Sequence, residues 1–452
     1  MKLFKKVVFF FFLFHFLYTS YLILFEVESL SLFIIYFLFI LTLFKAFKRS
    51  ISKPFSPLFI FSFWFFFSYI TPLPYLINGY SGSASYKTDL FYDPFVLMQA
   101  LAIVFFGLFG AYLGSNKKKG NRISFMINLS NKIRFHSLKL HHLILAFLWF
   151  VLAFIIRFNF KLGIAGEQPT IPFAGVLQYI FLDGSFIIFS YIFLKALEKK
   201  GTYLFFAFFL GLLIVVSQAL LGWRGTIFKL INLIIVLSWF TMHKNFSLNL
   251  PKKYLVIILI TVPIFMQIGN TVRDAESSNE NTESLHQSNS TENGIISKFF
   301  ENGIMRRQGI TRLAFVFTKA NLPFTLTNNF FFLDLIKNDI SSTKYIDYNL
   351  HGILLEQSHS VGGGGVGNVY LSFGILGVFI SYFLLAVFYN KIYFSIAKSR
   401  NNIFLIVLYS QMIVILPYYI SENFGTDVFK FTFVIIVLSF VFGKLFHIKK
   451  LT

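Results

Sequence analysis

A histidine followed by a run of glycines is the stretch of this chain whose residue types are best suited to chemistry. Residues His359 to Gly377 read HSVGGGGVGNVYLSFGILG. Glycine permits positive φ angles and lets the backbone approach a ligand closely. The apolar helix predicted to follow has free N–H groups and the positive end of its dipole at its start, which favours an anion. We therefore predict an anion or lipid-phosphate site here, with a flexible turn as the alternative. The glycines concerned are Gly362, Gly363, Gly364, Gly365 and Gly367.

These glycines do not indicate a nucleotide-binding site. Gly362, Gly364 and Gly367 satisfy GxGxxG by spacing, but a dinucleotide site requires that this motif follow a strand within a βαβ unit. No such unit is predicted around it. A Walker A loop is excluded as well, because Asn368 follows Gly367 where that motif requires lysine.

Two further side chains are candidates for chemistry. Histidine is the side chain whose ordinary pKa lies nearest neutrality, so we predict that His359 orients or deprotonates a substrate hydroxyl. An inert surface histidine is the alternative. Asp183 lies inside a predicted membrane span, where a carboxylate is costly and by default marks function. A structural pairing with a neighbouring helix is the alternative for Asp183.

The composition places these residues in a membrane protein. The 452 residues are 56% hydrophobic and 13% charged, so most of the surface must face the bilayer. A net charge of +21 would suggest a nucleic-acid partner for a soluble protein. The distribution of the charge indicates membrane orientation instead, and no nucleic-acid partner is predicted. Because cysteine is absent, disulfides, thiolate nucleophiles and cysteine-ligated zinc are excluded, and neither a metal nor a cofactor is predicted.

Apolar runs of bilayer length recur along the whole chain when it is read in windows of about 19 residues. They predict an all-α polytopic membrane protein with about twelve transmembrane helices. The predicted spans lie near residues 7–25, 30–44, 55–77, 95–114, 143–158, 173–194, 202–221, 226–242, 254–270, 367–389, 403–420 and 428–446.

Lysine and arginine set the predicted orientation, since cytoplasmic loops are rich in them and short outer loops are not. With the N-terminus inside, the inner segments carry 25 of these residues, whereas the short outer loops carry only Lys87, Lys161 and Arg224. Both termini are then cytoplasmic. Residues 1–270 are predicted to form a membrane domain of nine spans, residues 271–366 one long extracytoplasmic loop between spans nine and ten, and residues 367–452 the last three spans.

The long outer loop has two parts of different composition. Residues 275–294 contain almost no apolar side chains and are predicted to be disordered. Residues 295–320 carry apolar side chains at helical spacing, which predicts an amphipathic helix on the outer membrane surface. In the fourth span, the GxxxG spacing of Gly110 and Gly114 indicates a close approach to another helix.

Arginine is concentrated on the predicted outer side, where the charge rule disfavours cations. Guanidinium groups bind phosphate through paired hydrogen bonds and keep their charge. We therefore predict that these arginines bind phosphate, with contacts to lipid head groups as the alternative for the last three. Arg157, at the outer end of the fifth span, is expected to snorkel towards the head groups. The predicted phosphate-binding arginines are Arg224, Arg273, Arg306, Arg307 and Arg312.

Two stretches of the chain resemble a known family. GVGNVYLSFGILGVFISYFLL (Gly365 to Leu385) resembles the re-entry helix of the Wzy-type O-antigen or repeat-unit polymerases, in which a glycine-rich loop leads into a small or acidic residue, an aromatic residue and FGxxG. SQALLGWRGTIFKLI (Ser217 to Ile231) is similar to the Gly-x-Arg turn of that family. Asn368 stands where many members have glutamate, and none of the outer arginines begins the Arg-x10-Gly pattern of some members.

The resemblance implies an integral inner-membrane glycosyltransferase that works without a metal or a cofactor. Such an enzyme transfers the growing glycan from undecaprenyl diphosphate to the terminal sugar hydroxyl of another undecaprenyl-diphosphate-linked oligosaccharide at the outer leaflet. His359 and Arg273 are then the expected catalytic residues. Membrane lipids and a chain-length regulator protein are further expected partners. The expected substrate-binding residues are Arg224, Arg306, Arg307, Arg312, Gly362, Gly363, Gly364, Gly365, Gly367, Asn368 and Tyr370.

Two other functions are compatible with this architecture. An O-antigen ligase differs only in the identity of its acceptor, which the sequence does not reveal. A flippase or transporter of lipid-linked oligosaccharide is the alternative from another class. Transporters usually contain related halves, and no repeat is evident between residues 1–226 and 227–452, which favours the polymerase.

Overall fold

The computed structural model is helical almost throughout the residues that it describes, and no strand occurs among them. The predicted all-α class is therefore confirmed. The described residues are 2–51, 53, 55–78, 94–116, 140–160, 162, 174–199, 201–220, 225–242, 310, 313, 364–398, 402–421 and 426–445.

The helices are numbered in chain order. Two of them end in a π-helical turn: α1 (Lys2–Tyr21) continues through Leu22–Glu26, and α3 (Pro57–Phe65) through Phe66–Ile70. The others are α2 (Leu30–Ser50), α4 (Leu73–Ile77), α5 (Pro94–Asn116), α6 (Leu140–Asn159), α7 (Ala174–Lys199), α8 (Thr202–Leu220), α9 (Gly225–Met242), α10 (Gly364–Lys398), α11 (Ile403–Ser421) and α12 (Thr426–Leu445).

Seven helices in the described part are long and apolar enough to cross a membrane, which supports a multi-pass membrane protein. They are Phe9–Glu26, Leu30–Ser50, Pro94–Asn116, His141–Asn159, Leu177–Leu197, Gly365–Ile396 and Ile403–Ser421. Shorter apolar helices lie at Pro57–Ile70, Thr202–Gln218, Lys229–Phe240 and Thr432–Leu445. Every predicted span except the ninth overlaps a described helix, and residues 254–270 lie outside the described part. The total of twelve crossings and the place of the long loop remain predictions.

Local sequence explains where several helices begin. The side chain of Ser56 accepts a hydrogen bond from the Phe59 N–H at 3.4 Å, and Pro57 follows at the start of α3, where a missing N–H costs nothing. The side chain of Asn402 accepts in the same way from a backbone N–H of α11 at 3.2 Å. Between α7 and α8, Gly201 adopts a φ of 63°, so that one residue turns the chain.

The chain forms two compact units, each built from three separate segments of the sequence. Unit 1 comprises Met1–Gly120, Ser284–Lys391 and Leu416–Val428. Unit 2 comprises Asn121–Glu283, Ile392–Ile415 and Phe429–Thr452. The boundaries at residues 270 and 366, which follow from the order of the predicted spans, remain predictions.

In unit 1, α5 packs closely against α10 through the GxxxG glycines. A Cβ atom added at Gly110 would overlap the backbone carbonyl oxygen of Phe379, and one added at Gly114 would overlap that of Phe383. No other residue fits at either position without moving a helix. The expectation that this spacing brings two helices together is confirmed.

In unit 2, buried aromatic and polar side chains connect α7 with α6, α11 and α12. The Trp149 ring lies between Phe181 and Phe442, with centroid distances of 5.6 and 5.0 Å. The Tyr191 hydroxyl donates to the Ser439 carbonyl at 2.8 Å. This phenol, buried among apolar helices, thus has the hydrogen-bond partner that a low-dielectric interior requires.

Large apolar side chains are exposed on α1 and α6. Phe10 is 70% exposed and Phe14 61% on α1, and Leu148 is 55% exposed on α6. Contiguous exposed apolar surface of this kind is unfavourable in water. It is the surface expected of helices that face lipid.

Candidate functional site

The glycine-rich stretch becomes the first turn of a helix. α10 begins at Gly364, three residues before the predicted start of the tenth span at residue 367. Gly364 and Gly365, which were predicted at the end of the preceding loop, are therefore helical, and Gly367 is helical as the span pattern predicts. Gly362 and Gly363 lie outside the described residues.

Gly365 is required by close packing within unit 1. A Cβ atom added at this position would overlap the carbonyl oxygen of Tyr419 and would lie 2.6 Å from that of Ile420. Both carbonyls belong to the last turn of α11. Because only glycine lets the start of α10 touch the end of α11, protein packing already accounts for this glycine. Its contact with a ligand remains a prediction.

Two buried tyrosines bind the carbonyl groups at the end of α11. The Tyr69 hydroxyl donates to the Ile420 carbonyl at 2.7 Å, and the Tyr382 hydroxyl donates to the Tyr419 carbonyl at 3.4 Å. The backbone N–H of Val366 in turn donates to the Tyr69 oxygen at 3.3 Å. Tyr69 therefore connects the first turn of α10 with the last turn of α11.

This arrangement bears on the predicted anion site. The positive end of the α10 dipole lies against carbonyl groups at the negative end of α11, which compensates part of its field. The Val366 N–H, which the sequence offers to an anion, is bound to Tyr69 instead. Sequence reasoning did not single out Tyr69, because nothing near it in the chain points to residues 366 and 420.

Asn368 and Tyr370 follow within the next turn of α10. Asn368 is buried, and its carbonyl accepts a hydrogen bond from the Ser372 hydroxyl at 3.0 Å. Tyr370 is half-buried. An amide at position 368 is neutral and both donates and accepts hydrogen bonds, so this residue is suited to holding a hydroxyl and not to removing a proton.

The FGxxG sequence marks a break inside α10. Gly374 has φ 65° and ψ −168°, a conformation open essentially to glycine alone. A Cβ added at Gly377 would overlap the Cβ of Phe373, so the second glycine is required where the break brings these residues together. The segment Gly364–Phe373 is thereby set apart from the rest of α10.

Asp183 forms an ion pair inside unit 2. Its fully buried carboxylate binds the Lys229 ammonium, which also lies 4.6 Å from the centroid of the Phe186 ring. The structure thus bears out the pairing alternative for Asp183, with a partner on α9 that sequence reasoning missed. Lys229 stood at the edge of an apolar run and carried no other signal.

Arg157 does not snorkel, contrary to expectation. The residue is only 3% exposed, and its Nε donates to the Leu162 carbonyl at 3.2 Å. The negative charge of Asp183 also acts on the buried guanidinium. Arg157 Nη2 and Asp183 Oδ2 have no hydrogen-bond partner among the described residues. One donor atom and one acceptor atom are therefore still available for further hydrogen bonds.

The other predicted site residues lie outside the described part of the chain, and their roles remain predictions. The same holds for the disordered segment 275–294. Of the predicted amphipathic helix 295–320, only Ile310 and Leu313 are described, and both are helical and fully buried. The undescribed site residues are Arg224, Arg273, Arg306, Arg307, Arg312, His359, Gly362 and Gly363.

Within the described residues, no three His, Asp or Glu side chains are grouped as metal ligands. In unit 1, the described candidates for substrate binding are backbone groups at the start of α10, the Asn368 amide and the Tyr370 phenol. The Asp183–Lys229 ion pair is a separate feature of unit 2. These groups bind by hydrogen bonds and charge.

Comparison with known proteins gives one match. Residues 7–450 match the family model described as O-antigen polysaccharide polymerase Wzy. No curated protein and no solved structure gives a significant match. The family match extends over nearly the whole chain, and the helical, apolar architecture agrees with it. The chain therefore belongs to the O-antigen polysaccharide polymerase Wzy family.

Proposed function

We propose that this protein joins lipid-linked oligosaccharide repeat units at the outer leaflet of the bacterial inner membrane. It transfers the glycan from undecaprenyl diphosphate to the terminal sugar hydroxyl of a second lipid-linked unit. The observation that carries the proposal is the family match along residues 7–450 of an all-helical chain. The family consists of membrane polymerases of the glycosyltransferase type that act on lipid-linked oligosaccharide.

The chemistry requires stabilisation of a departing diphosphate. The bond between the anomeric carbon and the diphosphate oxygen breaks, and the acceptor hydroxyl oxygen forms the new glycosidic bond. Negative charge develops on the leaving group, and arginines stabilise it without a metal. In this proposal Arg273 acts on the leaving group, while Arg224, Arg306, Arg307 and Arg312 hold the diphosphate.

The acceptor hydroxyl loses its proton in the same step. His359 takes or orients that proton, because an imidazole titrates near neutral pH. Asn368 and Tyr370, in the first turns of α10, hold sugar hydroxyls through their amide and phenol groups. Gly362, Gly363, Gly364 and Gly367 keep the backbone free of side chains beside the sugar, while Gly365 lets the start of α10 pack against the end of α11.

Anchoring of both substrates in one bilayer supplies a further part of the rate. Two lipid-linked units that diffuse in the same plane meet more often and with fewer orientations than free oligosaccharides do. No nucleotide-sugar site is needed, since the lipid diphosphate is itself the activated donor. A chain-length regulator protein would act on this process from outside the chemical site.

Deletion of the gene tests the reaction class. We expect single repeat units on the lipid anchor in place of a ladder of surface polysaccharide on a gel. Precursor retained on the cytoplasmic side would indicate a flippase, and polymer that forms but never reaches the lipid A core would indicate a ligase. An unchanged ladder would overturn all three functions.

Alanine substitutions test whether the outer arginines bind the diphosphate. Arg273→Ala and Arg224→Ala are expected to abolish polymer while the protein still accumulates in the membrane. Each substitution removes a guanidinium group that is proposed to bind the diphosphate, and neither is expected to change the fold. Arg134→Ala, in the predicted cytoplasmic segment 117–139, is the matched control and should leave the ladder intact. Normal polymer length in both outer variants would end the diphosphate assignment.

A further inference from the structure

We propose that Tyr69 is a positioning residue for the polymerase site, and this inference rests on the proposed function. Its phenol fixes the segment Gly364–Phe373, which carries Asn368 and Tyr370, to the end of α11. Tyr69 itself touches neither substrate nor reacting atoms in this proposal. It acts by setting where the sugar-binding side chains stand.

We call the two hydrogen bonds of the Tyr69 hydroxyl, to Val366 and Ile420, the Tyr69 latch. The unpaired backbone groups at helix ends explain why such a connection is needed here. The first N–H groups and the last carbonyl groups of any helix lack partners within the helix. Val366 is among the first residues of α10, and Ile420 is next to the last residue of α11. The Tyr69 hydroxyl serves both, accepting from Val366 at 3.3 Å and donating to Ile420 at 2.7 Å.

Local structure places the Tyr69 phenol with little freedom. The residue lies in the π-helical turn Phe66–Ile70 that ends α3. The Tyr69 side chain is fully buried, and its ring lies 5.7 Å from that of Phe65. Because the ring is packed and buried, the Tyr69 hydroxyl has a fixed position from which it can orient α10 and α11.

The segment Gly364–Phe373 depends on such a latch, because Gly374 separates it from the rest of α10. Its first turn is held by the bare contact of Gly365 with two carbonyls and by the hydrogen bond of Val366. Asn368 follows Val366 by two residues, and Tyr370 lies about one helical turn beyond Val366. Loss of the Tyr69 hydroxyl therefore shifts the residues proposed to hold the acceptor sugar.

Tyr69→Phe removes the hydroxyl and keeps the ring. Tyr191→Phe is the matched control, because Tyr191 is equally buried and also donates to a backbone carbonyl, in unit 2. With purified protein and lipid-linked repeat units, we expect Tyr69→Phe to raise KM about tenfold, since a lost bond that leaves buried groups unpaired changes an equilibrium by about that factor. The kcat should change little, and Tyr191→Phe should match wild type in both constants.

A second variant tests the same bond from its other end. Val366→Pro deletes the donor N–H at a helix start, where proline is tolerated. We expect its effect on KM to combine with that of Tyr69→Phe to less than the product of the two, because both changes break one interaction. Independent, multiplying effects would overturn the latch, as would an unchanged KM in Tyr69→Phe.

A labelling experiment tests the latch without any activity measurement. The chain contains no cysteine, so Ser421→Cys places a single thiol at a buried position beside Ile420. In detergent-purified protein, we expect a water-soluble maleimide to react faster when Tyr69→Phe is added, and not when Tyr191→Phe is added. Equal rates in all three proteins would overturn the proposal. If wild-type protein fails to polymerise, the proposed function fails while this arm still decides on the latch.

Discussion

Asp183 carries the negative charge that acts on two cations in unit 2, the partly exposed Lys229 and the buried Arg157. Its carboxylate binds Lys229 directly and also attracts the Arg157 guanidinium. Removing one partner of a buried ion pair leaves an uncompensated charge, which typically costs about 3–5 kcal/mol. Loss of Asp183 removes the negative charge that acts on both cations. Loss of Lys229 leaves the carboxylate with Arg157 still beside it.

We therefore expect Asp183→Asn to reduce stability more than Lys229→Met does. The measurement is the amount of protein in the membrane together with the melting temperature after purification in detergent. Asp183→Asn keeps the shape of the side chain, so the difference reports charge. Equal losses, or a larger loss for Lys229→Met, would contradict the role of Asp183 as a shared counter-ion.

At the residue scale, sequence reasoning recognised costly groups but not their partners. It identified Asp183 as out of place in a span, yet Lys229 lies 46 positions away along the chain. It read Gly365 as an approach to a ligand, whereas carbonyls of α11 occupy the space beside it. Such pairings depend on which helices are neighbours, and single-sequence periodicity does not contain that information.

At the element scale, α10 consists of two segments joined at Gly374. Its φ of 65° and ψ of −168° are strained for any residue with a Cβ. We expect Gly374→Ala to lower the free energy of unfolding by roughly 1–3 kcal/mol. We also expect it to reduce polymer, because the orientation of the segment that carries Asn368 relative to the rest of α10 depends on the break at Gly374. Thermal melting in detergent and the polysaccharide ladder measure the two effects.

Gly211→Ala, in α8, is the control for this substitution. Gly211 does not adopt a positive φ, and an added Cβ would meet only side-chain atoms of Phe189 and Leu230. The same chemical change should therefore cost much less there. Similar losses for the two variants would indicate that the break in α10 has no special role.

The positions of helices followed from hydropathy, while their internal geometry did not. The described helices overlap the predicted spans because about 20 apolar residues suffice to identify a crossing. A hydropathy window is blind to φ and ψ, so it placed the start of α10 at residue 367 and passed over the break at Gly374. The FGxxG spacing was visible, but as a resemblance and without a geometric reason.

For the whole molecule, charge and composition determined the class of protein, whereas the division into units was not foreseeable. Long-range packing joins α1–α5 with Leu416–Val428 in unit 1. A contiguous division at residues 270 and 366 reflects only the order of spans. The predicted orientation, by contrast, rests on the distribution of lysine and arginine and can be tested directly.

Single cysteines in the cysteine-free chain test that orientation. Ser290→Cys lies in the predicted outer loop 271–366, and Ser130→Cys lies in the predicted cytoplasmic segment 117–139. We expect a membrane-impermeant maleimide to label only Ser290→Cys in cells whose outer membrane has been permeabilised, because positive segments stay inside. Labelling of Ser130→Cys alone would invert the topology.

Polymerisation by the purified protein tests the central claim most directly. The protein is reconstituted into liposomes with undecaprenyl-diphosphate-linked repeat units as the only sugar substrate. Lipid-linked products that grow by whole repeat units, with release of undecaprenyl diphosphate, are the predicted result. Repeat units that remain single in the presence of folded protein would contradict the claim.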